Sequence, residues 1–529
     1  MSVMPEMSNP SQQEQPAYES SYRQIAIVAA YLLLLSVLIR LPHFFQIVID
    51  WDESTFILMG QSVLEGHLPY TDLWDLKPPL LFLFFAGAIA VLGKSIVSVR
   101  FAGAICVAIT ALFTYLSGKK IWDHRTGIIG GTLFILASSI IPPAGQSVMS
   151  EHVATVPLVG ALSLLVGKRQ SLPMLFLSGM LVAIAAFTRL NLAYVSIMAG
   201  LFIVIRSFME NPGSILLPIK HGAAYACGGI LILALVFLPY GLTGNGGLWW
   251  KSVILAPLNY AGSQLSFMEA LGSHATFIRL AVFNAHNPLW GLNILMWACA
   301  LAGIGVIILK WRNSSREKIL GSALLLLFLA GAEISILKSG PAMTHYFIQI
   351  FPFMALSSSV FINAIARGYA RWPVYALVFM ALASSVLSVF PQYEDIASRI
   401  MSGKSLTYGP ACEIAEFLKR ENTRGEPIYM TQDHIVYWLI GAKPLTKATC
   451  HPSNISKDYI IRILSGPGAT TEGELARVLA LKPRFIVKKS EVFYLHDRPQ
   501  ARLLLDSALE SQYEHVKDIQ ERQIYRRKK

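Results

Sequence analysis

Residues 25–39 read Ile-Ala-Ile-Val-Ala-Ala-Tyr-Leu-Leu-Leu-Leu-Ser-Val-Leu-Ile and run straight into Arg40-Leu41-Pro42. No small-residue cleavage site follows, so the stretch reads as a retained first membrane span rather than a signal peptide. Similar apolar segments recur near 79–93, 99–117, 127–142, 152–167, 172–188, 191–206, 217–240, 288–309, 319–337, 345–365 and 372–391. Several fall short of the ~20 residues a helix needs to cross ~30 Å of hydrocarbon. The 529-residue chain is 54% hydrophobic and 14% charged, with mean hydropathy +0.51. Charge is concentrated at the end: residues 392–529 carry about 39 charged side chains, an ordinary soluble density, whereas residues 22–391 carry about 34. These proportions exclude a soluble enzyme, a nucleic-acid binder, a secreted disulfide scaffold and a disordered protein as whole-chain readings. What remains is an all-α polytopic membrane body over residues 22–391, followed by a small α/β soluble domain over 392–529. Residues 1–21, polar and rich in Ser, Gln and Pro, read as a disordered tail.

The net charge of +12 is that of a membrane protein keeping basic residues on its cytoplasmic loops, since no basic-aromatic stripe of the nucleic-acid kind accompanies it. Basic clusters lie at Lys119-Lys120 with Arg125, Lys168-Arg169, Arg206 with Lys220, Lys310 to Lys318, and Arg367 with Arg371. They fall on every second loop. All become cytoplasmic together if the chain starts inside and one early segment does not cross. The stretch after Lys77-Pro78-Pro79, brief and opened by prolines, is the natural one to drop. The expectation is eleven crossings within a range of 11–13 transmembrane helices. The N-terminus is then cytoplasmic, and the soluble domain and the loops 42–78 and 241–288 lie on the outer face. In the soluble domain, 427–430 and 484–487 predict strands, and 411–420, 472–480 and 498–510 predict helices. Cys106, Cys227 and Cys299 sit in apolar segments as packing residues, while Cys412 and Cys450 could pair in an oxidising space.

Half of the twelve or so acidic residues of the membrane body crowd into the first loop: Asp50, Asp52, Glu53, Glu65, Asp72 and Asp75. Carboxylates next to hydrocarbon are costly and call for a partner or a purpose. Glu65, Asp72 and Asp75 are also consistent with a solvated acidic loop. Asp52-Glu53 lies close beyond a span, where a carboxylate could take a proton from a hydroxyl or hold a cation beside a phosphate. Lys77 would supply positive charge for a phosphate leaving group, or else snorkel to the interface. Trp249-Trp250 and Tyr260 read as interface anchors more readily than as sugar platforms.

Trp51-Asp52-Glu53, followed by Asp75-Leu76-Lys77-Pro78-Pro79-Leu80, resembles the first outer loop of the GT-C glycosyltransferases that use polyprenyl-phosphate sugars. The nearest types are the protein O-mannosyltransferases and the lipid A aminoarabinose transferases. Weaker similarity continues through Ser147-Val148-Met149-Ser150-Glu151-His152, Thr188-Arg189-Leu190-Asn191 and the segment containing His345-Tyr346. The resemblance implies that Asp52 activates the acceptor with Glu53 beside it, and that Lys77 contacts the lipid phosphate. Glu151 matches a second acidic position, but here it stands in Glu-His rather than the commoner Thr-Asp. Arg189 and Arg279, the latter near His274, are further candidates for the phosphate; His152, His345 and Tyr346 are candidates for the substrate side. A divalent cation, magnesium or manganese, is optional in such a site, with Asp52 and Glu151 as its ligands.

The implied activity is inverting transfer of a sugar from a polyprenyl-phosphate donor to a glycolipid or protein hydroxyl, at the outer face of the inner membrane. A secondary transporter would show internal repeats and midplane charges, and only Glu333 has such a place. A lipid-linked polymerase or ligase would share the carrier but not the Asp-Glu and Lys-Pro-Pro pattern. An outer-face assembly scaffold would leave Asp52 without a purpose.

Overall fold

The computed structural model describes residues 15–141, 144–167, 170–262, 266–283, 290–339, 343–366 and 371–529. Its membrane body comprises helices Gln15–Arg40 (α1), Trp51–Leu64 (α2), Pro79–Leu92 (α3), Ile96–Ile121 (α4), His124–Ile140 (α5), Ser150–Leu165 (α6), Leu172–Thr188 (α7) and Ala193–Glu210 (α8). Leu216–Leu242 (α9), Gly246–Trp249 (α10), Ala256–Gly262 (α11), Phe267–Phe283 (α12), Trp290–Leu309 (α13), Arg316–Leu337 (α14), Phe351–Ala366 (α15) and Arg371–Met401 (α16) complete it. Among the described residues, five helical segments are long and apolar enough to cross a membrane, and shorter apolar helices accompany them. Apolar side chains such as Ile27, Leu34, Ile197, Leu201, Ile230 and Leu235 face outward from the bundle, as a lipid-facing surface requires. Between α7 and α9 the backbones nearly touch. A Cβ on Gly179 would run into the Tyr225 carbonyl oxygen, so this close approach needs glycine.

One end of the bundle gathers basic residues that tie helix ends together. Lys119 donates to Gln24 at 3.1 Å and Lys120 to the Ser163 carbonyl at 2.5 Å. Arg206 donates to the Gly167 carbonyl at 2.9 Å and Arg316 to the Met209 carbonyl at 2.8 Å. The opposite end carries Asp52, Lys77, Arg189 and His345. Helices α1, α4, α6 and α14 reach both ends, with Gln24, Lys120, Ser163 and Arg316 at the first and Arg40, Arg100, Glu151 and Lys338 at the second. Helix α3 behaves differently. It starts beside Lys77, and Lys94 just past its end lies 5.7 Å from the Trp438 ring of the soluble domain, so it returns to the end it left. At 14 residues it spans about 21 Å, too short for the hydrocarbon layer, and it packs along α2 instead.

The soluble domain follows α16, which runs on through Pro391 to Met401. It contains helices Pro410–Glu421 (α17), Ile435–Ile440 (α18), Asp458–Ser465 (α19), Thr471–Ala480 (α20) and Pro499–Gln512 (α21). Its sheet is built from strands Ile428–Met430 (β1), Phe485–Lys489 (β2), Tyr513–Ile519 (β3) and Arg522–Arg527 (β4), in the order β1-β2-β4-β3. The pair β1–β2 is parallel and the other two pairs are antiparallel. The hairpin β3–β4 was not expected from the sequence. It alternates charged residues on both sides, such as Glu514 opposite Arg526, and buries only Tyr513, Ile519 and Ile524 fully. Cys412 and Cys450 are separate thiols.

Two other expectations are revised. The loop 241–288 is largely helical where described, through α10, a short π-helix at Trp250–Leu255, α11 and α12. Of the disordered tail expected over 1–21, residues 1–14 lie outside the described residues, and α1 already begins at Gln15. The soluble domain sits on the end of the bundle that carries Asp52. Ile47 and Tyr408 pair backbone to backbone at 2.9 Å, His434 meets Thr55 of α2 at 2.8 Å, and Asn454 donates to the Trp74 carbonyl at 3.3 Å.

Candidate active site

The site is built around the N-terminus of α2. Asp50 caps that helix by accepting the Asp52 backbone N–H at 2.9 Å, which sets Asp52 in the first turn with its side chain toward the soluble domain. Two bases meet it there. Lys77 Nζ lies 3.7 Å from Asp52 Oδ2, and His451 Nε2 lies 3.1 Å from Oδ1. Lys77 is held through its backbone. Its N–H donates to Asp75 Oδ1 at 3.1 Å, and its carbonyl accepts the Tyr70 hydroxyl at 2.6 Å. Tyr70 is fully buried at φ 73, a left-handed conformation that costs a tyrosine roughly 1–3 kcal/mol and persists because its surroundings impose it.

Burial opposes ionisation of Asp52, but the Lys77 ammonium and the His451 hydrogen bond outweigh it and hold the carboxyl well below the usual range. Asp50 goes the other way, pushed up to about 7 by burial and by the Asp52 charge. Asp75 is raised, chiefly by burial, and burial lowers His345 and Lys457. These groups face a cavity of about 330 Å³ whose wall includes Tyr260, Tyr346 and Asn454. A second cavity of about 250 Å³ adjoins it, sharing Lys77, Tyr260 and Tyr346, and adds Arg189, Asn191 and Lys338. A third, of about 930 Å³, is almost wholly apolar. It runs between α3, α4, α6, α7 and α9 past Pro79, Phe84, Phe113, Ile184, Thr188 and Leu235.

Arg189, at the end of α7, is buried and fixed on three sides. Its Nη1 lies 2.8 Å from Glu151 Oε1 and donates to Ser150 Oγ at 3.0 Å, and its Nε donates to Gln349 at 3.2 Å. Its guanidinium also sits 4.4 Å from the Tyr346 ring centre. Glu151 is 3.9 Å from His345. The structure thus brings Asp52, Lys77, Glu151, Arg189, His345 and Tyr346 together. Three other candidates lie elsewhere. His152 is buried with both ring nitrogens engaged, Nδ1 by the Met149 N–H and Nε2 by the Ser138 carbonyl. Arg279 is exposed on α12 and lines neither cavity, and its neighbour His274 pairs with Glu333 at 3.2 Å. Glu53 faces away from the cavity. It meets Arg100 of α4 at 2.7 Å and accepts the Val148 N–H at 2.7 Å.

That buried pair is the frame of the site. Arg100 also donates to the carbonyls of His43 and Gln46, while Arg40 donates to those of Gly145 at 2.6 Å and Ser147 at 2.9 Å. The two arginines thereby anchor the segments that carry Asp52 and Glu151. Removing one partner leaves an uncompensated buried charge, so Arg100→Leu is expected to lower stability by about 3–5 kcal/mol. Thermal unfolding in detergent measures it, and the double variant Glu53→Leu/Arg100→Leu should recover part of the loss.

A divalent cation between Asp52 and Glu151 does not fit this donor set, because each carboxylate is already bonded to a basic side chain. Among the described residues, the one set of three potential ligands within 4.8 Å is Glu65, His67 and Asp72 at the surface. There Lys443 of the soluble domain lies 3.0 Å from Glu65 and 3.2 Å from Asp72. The soluble domain also supplies what sequence reasoning missed, His451, Asn454 and Lys457. Only the fold brings them to Asp52.

Residues 76–240 match the family described as dolichyl-phosphate-mannose-protein mannosyltransferase. A dolichol phosphate-mannose mannosyltransferase of Haloferax volcanii is 26% identical over 308 residues, covering 54% of this chain and 63% of the relative, just under two thirds of its length. Among solved structures, ArnT from Cupriavidus metallidurans bound to undecaprenyl phosphate superposes with a TM-score of 0.56 at 13% identity, over 96% of this chain and 98% of that one. The oligosaccharyltransferase AglB from Archaeoglobus fulgidus, in complex with an inhibitory peptide and a dolichol-phosphate, gives 0.50 at 12% identity, over 89% and 70%. The shared architecture is the GT-C fold, the helical membrane body with a soluble domain at one end that the sequence led us to expect.

Proposed function

We propose that this chain, which has the GT-C glycosyltransferase fold, moves a sugar from a polyprenyl-phosphate carrier to a glycolipid or protein hydroxyl with inversion at the anomeric carbon. The observation that carries this reading is the meeting of Asp52 and Lys77 where two cavities join. The donor phosphate belongs in the 250 Å³ cavity, where Lys77, Arg189 and Lys338 supply positive charge. The prenyl chain follows the apolar cavity toward lipid, and the acceptor enters the 330 Å³ cavity from the side of the soluble domain.

The reaction is then one displacement. The acceptor oxygen bonds to C1 as the C1–O bond to phosphorus breaks. Asp52 takes the acceptor proton, and the electron pair leaves with the phosphate, whose charge Lys77 and Arg189 stabilise. At 3.7 Å the Lys77–Asp52 contact is loose. A donor phosphate that draws Lys77 toward itself frees the carboxylate to act as a base, so the base is strongest when donor is bound. The end of the bundle that holds Lys119, Arg206 and Arg316 supports a cytoplasmic assignment by charge. On that basis we infer a cytoplasmic N-terminus, with the site and soluble domain on the periplasmic face of the inner membrane.

The test uses purified protein with the polyprenyl-phosphate sugars and envelope acceptors extracted from membranes of its source. Acceptor-dependent release of free polyprenyl phosphate, read by mass spectrometry, is the expected result. Release that is absent, or that goes to water whatever acceptor is added, would sink the proposal.

A further inference from the structure

We propose that His451, carried by the soluble domain, is a positioning residue that holds the reactive carboxylate of Asp52 through a ring tautomer fixed by Ser453. The inference rests on the transferase reading above and assigns the soluble domain a part in it. His451 precedes a 3-10 turn, Pro452–Ser456, and caps it: the Ser453 backbone N–H points at His451 Nδ1 at 3.2 Å, with Ser453 Oγ 3.0 Å away. A backbone N–H can only donate. Nδ1 must therefore keep its lone pair, and the ring proton of the neutral imidazole sits on Nε2. From there it donates to Asp52 Oδ1 at 3.1 Å. The cap thus converts a local sequence, His451-Pro452-Ser453, into a fixed donor aimed across the domain boundary.

The consequence for Asp52 is geometric. One carboxylate oxygen is held by His451, and the other faces Lys77 and the cavity, where an acceptor hydroxyl can reach it. The His434 ring lies beside it, centre to centre at 6.1 Å, and its Nε2 meets Thr55 of α2 at 2.8 Å. Other ionisable groups also act on Asp52. Asp50 stands on its own turn, Asp75 and Lys77 come from the loop before α3, His345 precedes α15, and Lys457 accompanies His451. Unlike these groups, His451 is hydrogen-bonded to the Asp52 side chain. The soluble domain therefore completes the active site rather than merely covering it.

The experiment compares His451→Ala and His451→Gln in the full chain for acceptor-dependent transfer across pH. Glutamine places an amide N–H near the position of Nε2 and so can replace the donor; alanine cannot. His451→Ala should lose about 10- to 100-fold in kcat/KM, the worth of a hydrogen bond to a charged group. Its acid limb should also move to higher pH, because a carboxylate without that donor takes up a proton more readily. His451→Gln should recover most of the rate and of the limb. An unmoved acid limb in His451→Ala overturns the proposal, as does equal impairment of both variants. A second readout needs no active variant. In wild-type protein with labelled histidine nitrogens, the resonances absent from His451→Gln should be those of a neutral ring protonated at Nε2. A cationic or Nδ1-protonated ring would overturn the assignment. Wild-type protein that transfers no sugar at all would count against the transferase reading instead.

Discussion

Asp52→Asn is expected to lower turnover by about 10²–10⁴-fold, the range a positioned general base contributes. Asparagine preserves the shape of the side chain and can still accept a hydrogen bond from His451 through its amide oxygen, so the fold and the cap of α2 by Asp50 should survive. What it cannot do is take the acceptor proton. The loss should therefore fall on kcat, with donor binding little changed, and pre-steady-state measurement of sugar transfer on loaded protein would separate the two. Asp52→Glu should recover little, since an added methylene carries the carboxylate away from a position fixed by His451 on one side and Lys77 on the other.

Lys77→Met should cost about 10²–10³-fold in kcat, the scale of losing one preorganised partner to charge that develops as the carrier phosphate departs. Donor affinity should fall as well, because the same ammonium meets the phosphate in the ground state. A second signature distinguishes Lys77 from a merely structural lysine. Its charge is a principal reason the Asp52 carboxyl lies so low, so its removal should carry the acid limb of the activity to higher pH. The sign follows from the cause: without the neighbouring cation the proton binds more tightly, and Asp52 becomes protonated and idle at a pH where the wild type is still active. Kinetics across pH, with donor affinity measured separately, tests both effects. Arg189 is a different case. It is buried against Glu151, so its loss would strand a carboxylate and confound catalysis with stability.

The membrane body was legible in the sequence because hydrocarbon imposes a simple rule, long apolar stretches with charge at their ends. The same charges marked α3 as a segment that does not cross, and the structure has it packed along α2 with both flanks on the side of the soluble domain. In the soluble domain, β1 and β2 were readable as short buried apolar runs, while β3 and β4 were not, since their polar alternation resembles any solvated segment. The candidate site divides in the same way. Asp52 and Lys77 stood out because charge beside an apolar span needs a reason. Glu53 carried the same signal but is engaged by Arg100. A clue was available there: Arg100 is a lone cation inside an apolar segment and so needs a buried carboxylate. His451 gave no signal at all. A histidine in a polar domain is unremarkable, and its contact with Asp52 joins residues 399 positions apart.

The central claim is that this chain delivers one sugar to one envelope acceptor through Asp52. Mass spectrometry of the glycolipids and envelope glycoproteins of a deletion strain tests it most directly, with the strain complemented by wild-type protein or by Asp52→Asn at matched expression. The wild type is expected to restore a sugar-sized mass increment on a defined acceptor, and Asp52→Asn is not. Equal restoration by both proteins, or no sugar-sized difference between the deletion strain and its wild-type complement, would contradict it.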